Sequence, residues 1–406
     1  MRLRSRSTQL MLATVLALAL GAVPLIAGGA GATTNSAADK AASAPSADFS
    51  GLVDIGGGRK IYMECRGKGS PTVVLVSGLG NAADTWSVTA DPKNERAVFD
   101  EVAKFTRVCA YDRPGTIRVT DDDKPSPSTP VGQPTSAKPA AADLDALLGA
   151  SGEPAPYVLV GHSFGGPIVR LYAGFHPAEV GGLVLVDALS EDLPDGLSPK
   201  QEALSEELNT PPPGSHREGL DQSATFKQLR ESPPAPTVPA VVLSADRPGL
   251  TKEALAKGQF PDGVNQKFVD ALWAAQLAAQ DKLAKKFPGA AHITDTNSTH
   301  YIQLENPQLV SDSIRRVVEA ARDGAKRHSG GAEGLESAAP SATPSATATV
   351  GATSSAGAGA AGAAQYQYAS ALPGSGGVSP VLLLAVIPAI LLVIVGLLAA
   401  RVIRIG

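Results

Sequence analysis

Residues 157–166 read Tyr-Val-Leu-Val-Gly-His-Ser-Phe-Gly-Gly, and their order decides the fold. The apolar run 157–160 has strand character and feeds straight into Gly161-His162-Ser163-Phe164-Gly165. A helix-like run, Pro167-Ile168-Val169-Arg170-Leu171-Tyr172-Ala173, follows at once. Strand, sharp turn with serine at the tip, then helix is the context that makes G-x-S-x-G a nucleophile elbow. Such a turn strains the serine backbone and leaves room only for small residues two positions before and after it. Gly161 and Gly165 supply them.

The same rhythm extends on both sides. Strand-like runs occupy 51–55 and 60–66, and residues 72–76 are apolar after the threonine, as a strand buried on both faces should be. Helical spacing over 95–105 leads to a strand at 106–111, stopped by Asp112-Arg113-Pro114-Gly115. A helix at 140–148 precedes the elbow, and Gly182-Leu183-Val184-Leu185-Val186-Asp187 is another buried strand. Residues 189–236 break the pattern with helical pieces and prolines. A strand at 240–244, a helical stretch at 264–287, a last strand at 290–296 and a final helix opened by Asn306-Pro307 restore it. Alternating strands and helices predict a mainly parallel sheet with helices on both faces. The insertion at 189–236 is expected over the carboxyl ends of the strands, where such sheets bind ligands.

This order of parts resembles the α/β-hydrolase family over nearly all of residues 50–325. Three motifs carry the resemblance: Ser77-Gly78-Leu79-Gly80 after the third strand, Gly161-His162-Ser163-Phe164-Gly165, and Ser298-Thr299-His300-Tyr301-Ile302 after the last strand. It implies an α/β fold with a mostly parallel eight-stranded sheet, helices on both faces and a small helical cap. It also implies Ser163 as nucleophile and His300 as general base, in the family's chain order of serine, acid, histidine. A serine hydroxyl is a weak nucleophile near neutrality, so a histidine must take its proton during attack and return it to the leaving group. The acid stays open between Asp187 and Asp246, each just past a strand. The oxyanion donors implied are the backbone N–H groups of Leu79 and Phe164. Among the other histidines, His162 adjoins the serine but is expected to point away from the hydroxyl, and His176, His216, His292 and His328 are read as surface or structural. Trp86 and Phe164 are expected as pocket walls, and Asp112 with Arg113 as a structural ion pair.

The ends carry addressing signals. Arg2, Arg4 and Arg6 precede an apolar stretch at 11–26 and the small-residue site Ala30-Gly31-Ala32, which predicts a cleaved leader at 1–32 and a linker at 33–47. Residues 48–326 form the expected hydrolase domain, and Ser, Ala, Gly and Thr dominate an expected unfolded stalk at 327–379. The uncharged run 380–400 is long enough for the roughly 30 Å hydrocarbon core, with Arg401 and Arg404 behind it. Leu372-Pro373-Gly374-Ser375-Gly376 resembles a sortase signal, with Ser375 where threonine is usual, so both wall attachment and a retained membrane helix stay open. With export expected, Cys65 and Cys109 are read as a disulfide; the loop-entropy model assigns such a bridge about 4 kcal/mol.

A formal net charge of −4 and no basic stripe argue against a nucleic-acid partner. The expectation is an exported, surface-anchored serine hydrolase acting on a small-molecule or lipid carboxylic ester, or a thioester or amide, with no cofactor or metal. The alternative is a hydrolase-fold module that binds or signals without turnover.

Overall fold

The computed structural model describes residues 47–333 except positions 92, 95, 122, 212, 213, 251, 258 and 259. The expected leader, the sorting-like motif and the apolar span at 380–400 lie outside the described residues. Among the described residues, no helix is long and apolar enough to cross a membrane.

Ten strands form in chain order: β1 (Phe49–Gly56), β2 (Arg59–Arg66), β3 (Thr72–Val76), β4 (Val108–Tyr111), β5 (Ile117–Arg118), β6 (Lys124–Pro125), β7 (Tyr157–His162), β8 (Val180–Val186), β9 (Ala240–Leu243) and β10 (Ala291–Ile293). Eight of them make one sheet in the order β1-β2-β4-β3-β7-β8-β9-β10, and β5 pairs with β6 alone. From β4 to β10 the pairing is parallel, while β1 and β2 are antiparallel additions at one edge. The helices are α1 (Val98–Ala103), α2 (Ala137–Ser151), α3 (Gly165–Phe175), α4 (Pro199–Asn209), α5 (Gln222–Glu231), α6 (Lys252–Lys257), α7 (Gln266–Lys285), α8 (Ile302–Glu305) and α9 (Pro307–Glu333).

Strand side chains alternate between faces, and the two cores follow that alternation. Val74 and Val76 of β3 and Leu159 of β7 pack with Leu144, Leu147 and Ile168 from α2 and α3. Val73, Leu75, Val158 and Val160 pack on the opposite face with Phe99, Ile314 and Val317 from α1 and α9. All of these side chains are fully or nearly fully buried, which is why the central strands are apolar at consecutive positions. Cys65 and Cys109 face each other across the β2–β4 register and are joined by a disulfide.

Several sequence expectations change. The helix expected over 95–105 contracts to α1, because Asn94 Oδ1 accepts the Arg96 N–H and holds the chain in a turn before the helix. The last strand shrinks from 290–296 to β10, since Thr296 turns its hydroxyl onto the Ser244 carbonyl rather than extending the ladder. Trp86 is no pocket wall: it lies in the α1–α9 core and is 1% exposed. Asp112 and Arg113 do not pair with each other; Asp112 takes Arg118, and Arg113 takes Glu218. Helix α9 continues through residues expected to begin the stalk.

The expected cap segment 189–236 packs on a helix that follows it in the chain, α7. Leu204 and Leu208 of α4 bury against Phe268 and Val269 of α7, and Phe226 of α5 meets Ala275 and Ala279. Farther along, Leu283 of the same helix enters the main core. A Cβ on Gly196 would lie 2.6 Å from the Ala275 Cβ, so the segment before α4 rests directly on α7. Helix α7 thus ties the cap to the sheet.

Candidate active site

The turn after β7 is as tight as its sequence requires. Ser163 has φ +50°, in the left-handed region, a strain worth roughly 1–3 kcal/mol that the surroundings must offset. Its N–H donates to the Val186 carbonyl at 3.1 Å, and its carbonyl accepts the Gly166 and Leu189 N–H groups, each at 2.9 Å. A Cβ on Gly161 would stand 2.6 Å from the Gly165 oxygen, and one on Gly165 would stand 2.2 Å from the Val76 oxygen. Only glycine fits either place.

Asp187 sits just past β8 with φ +39°, its N–H bonded to the Leu243 carbonyl at 2.7 Å. One carboxylate oxygen accepts the Ala245 N–H at 3.1 Å, and the other is 2.6 Å from His300 Nδ1. In the neutral imidazole, a bond to a carboxylate selects the tautomer with its proton on Nδ1 and the lone pair on Nε2. Asp246 does something else. Its two oxygens accept the Asn297 and Ser298 N–H groups at 2.8 and 2.9 Å, bracing the turn that delivers His300. Arg247 bridges the same turn by bonding the Asn297 carbonyl and Glu305.

His162 is not among the residues lining the cavity; it is buried against His300, ring centroids 4.7 Å apart. Burial, with His300 and Arg113 nearby, holds its pKa well below the usual imidazole range, so it is neutral. Gln303 Nε2 donates to Nδ1 at 3.2 Å, and Nε2–H donates to the His300 carbonyl at 2.9 Å.

The turn at 77–80 lies against the elbow: a Cβ on Gly78 would come within 3.1 Å of the Ser163 Cβ. Among the described residues, neither the Leu79 nor the Phe164 N–H finds a protein acceptor. The peptides around Leu79 are held from behind. Arg113, buried, donates to the carbonyls of Ser77 and Gly78 at 2.8 and 2.7 Å and to both oxygens of Glu218 at 2.6 and 3.0 Å. Glu218 in turn accepts the Gly80 N–H at 2.7 Å. The carbonyl of the peptide that bears the Leu79 N–H is therefore fixed by a guanidinium. Sequence reasoning missed this clamp; its only local sign was an arginine after a strand.

The sequence model of the Alpha/beta hydrolase family matches residues 73–332. The chain belongs to that family. An uncharacterized protein of Schizosaccharomyces pombe is 30% identical over 148 residues, which are 32% of this chain and 26% of that protein. The chain thus spans about a quarter of that relative's length. Among solved structures, a thermophilic esterase from Thermogutta terrifontis is similar with TM-score 0.41 and 16% identity, over 68% of this chain and 99% of that one. A haloalkane dehalogenase from Agrobacterium tumefaciens is similar with TM-score 0.44 and 14% identity, over 66% and 97%.

In this family member, Ser163, Asp187, His300, Leu79 and Phe164 all line one cavity of about 180 Å³ between sheet and cap. Leu208, Leu250, Phe268 and Leu272 make most of its remaining wall apolar. Among the described residues, three possible metal-ligating side chains gather only at Cys65, Cys109 and Glu153, where both sulfurs are already joined.

Proposed function

We propose that this protein is a serine hydrolase that cleaves a carboxylic ester through an acyl-enzyme. The observation that carries the reading is the 2.6 Å bond from Asp187 to His300 at a cavity whose wall also holds the strained Ser163. In the proposed reaction, Ser163 Oγ attacks the ester carbonyl while His300 Nε2 takes its proton. Asp187 keeps the imidazole in the required tautomer and stabilises the imidazolium. The Leu79 and Phe164 N–H groups receive the oxyanion; donors of this kind are each worth about 2.7–4 kcal/mol. Collapse expels the alcohol, which receives the proton from His300, and water repeats the sequence on the acyl-enzyme.

The mostly apolar wall favours esters with an apolar chain over charged substrates. The sequence signals at both ends complete the proposal: the protein is exported and held at the cell surface by its C-terminal segment. Mass spectrometry of the native protein tests this, since peptides from beyond Gly376 would rule out sortase-type cleavage and leave the membrane helix.

A fluorophosphonate tests the chemistry. Stoichiometric labelling of Ser163, lost in Ser163→Ala together with turnover of p-nitrophenyl esters, is the expected result. An unlabelled but folded protein would overturn the proposal.

A further inference from the structure

Four polar side chains interrupt the apolar wall of the cavity on its cap side: Ser205, Asn209, Gln222 and, from α7, the half-buried Gln276. Gln222 is 1% exposed, so its amide is out of bulk water. The network around it fixes which way that amide points. Asn209 Nδ2 donates to the Ser205 carbonyl at 2.9 Å, which identifies it as the nitrogen. The same Nδ2 lies 3.2 Å from Gln222 Oε1, and the Ser205 hydroxyl donates to that oxygen at 3.4 Å. With its oxygen held by two donors, the Gln222 side chain turns its NH₂ away from them. That group has two N–H donors and, among the described residues, no hydrogen-bond acceptor.

The NH₂ is not sealed off from the cavity, so a substrate chain that fills the cavity without offering an acceptor leaves this donor unpaired, at a cost in free energy. The ligand chemistry follows from the surroundings. No lysine or arginine is among the described residues lining the cavity, and the carboxylate there, Asp187, is bonded to His300. An anionic group would be buried without a counter-charge, and a cation would face N–H donors. A neutral oxygen fits both constraints.

We propose that Gln222 recognises a neutral acceptor oxygen, a ketone or hydroxyl, carried on the otherwise apolar chain of the ester. This inference rests on the serine-ester reading above and adds a substrate class to it. A site built around a buried donor discriminates against the analogue that leaves the donor unpaired, here by about tenfold for one neutral bond.

The test compares octanoate p-nitrophenyl ester with isomeric oxo-octanoates whose ketone is moved along the chain, and octyl acetate with oxo-octyl acetates, with fluorophosphonate labelling of Ser163 in parallel. Expected for the wild type is one oxo position, in one of the two series, with kcat/KM about tenfold above the plain chain. Gln222→Met should bring that ratio to about one, and Asn209→Leu, which frees the Gln222 oxygen, should lower it. Labelled protein with no preferred oxo isomer would overturn this inference and leave the serine reading standing. So would a preference that survives in Gln222→Met. Unlabelled wild type would overturn both. If the variants fail to fold, the wild-type series alone decides.

Discussion

His162 donates its Nε2–H to the carbonyl oxygen of His300 across 2.9 Å, so the residue beside the elbow serine holds the backbone of the residue proposed to deprotonate it. The end of β7, which leads into Ser163, and the loop that carries His300 are thereby locked together. Replacing His162 by phenylalanine keeps the bulk and removes the donor. We expect kcat to fall by about tenfold to a hundredfold with KM little changed, because a misplaced base costs rate more than binding.

The same residue sets a pH dependence of stability. Its folded pKa is lowered by burial, while the unfolded chain titrates near the usual pH of about 6.5. Below that pH the unfolded state binds a proton the folded state refuses. The contribution is therefore complete above about pH 6.5 and is lost as pH falls, by up to about 1.4 kcal/mol per pH unit. Urea melts of wild type and His162→Gln between neutral and mildly acid pH should converge as pH drops. Burial raises the carboxyl pKa of Glu64 and Asp112, which act in the opposite sense, and the comparison between variants cancels them.

Asp187→Asn and Asp246→Asn separate orientation of the imidazole from support of its loop. The first should lower kcat by about 10⁴ with little effect on folding, as when a triad acid loses its charge. The second removes one acceptor from the Asn297–Ser298 turn and should cost about 1–2 kcal/mol in melting experiments while keeping most of the turnover. The reverse pattern would reassign the acid.

Arg113→Met strands Glu218 as a buried carboxylate and should destabilise the fold by about 3–5 kcal/mol. Glu218→Gln keeps size and one acceptor and is the gentler probe. Its expected signature is a several-fold slower labelling of Ser163 by fluorophosphonate, since the Gly80 N–H and the guanidinium lose a charged partner.

Serine at both Cys65 and Cys109 should lower stability by about 4 kcal/mol on the loop-entropy account, with turnover of the folded fraction unchanged. Chemical denaturation with and without reductant measures the same quantity in the wild type.

The parts of this fold legible in the sequence are those with local causes. Two-faced burial makes β3, β7 and β8 apolar at consecutive positions, and Gly161 and Gly165 mark a turn that no side chain could enter. What stayed open depends on partners distant in the chain. Asp187 and Asp246 each follow a strand, and nothing near either records that only Asp187 meets His300, 113 positions later. Glu218 lies 105 positions from Arg113 in a segment with no regular pattern. Helix α7 has the spacing of any amphipathic helix, so its split allegiance to cap and sheet is written only in the packing.

Glu218 belongs to the stretch that roofs the cavity, yet its carboxylate grips the Gly80 N–H on the floor. Swapping the roof for that of another protein, the obvious route to a new substrate range, would therefore remove a supporting post of the floor as well. Chimeras that retain residues 215–220 while exchanging α4 and the first half of α7 are the ones in which altered specificity and intact turnover can coexist.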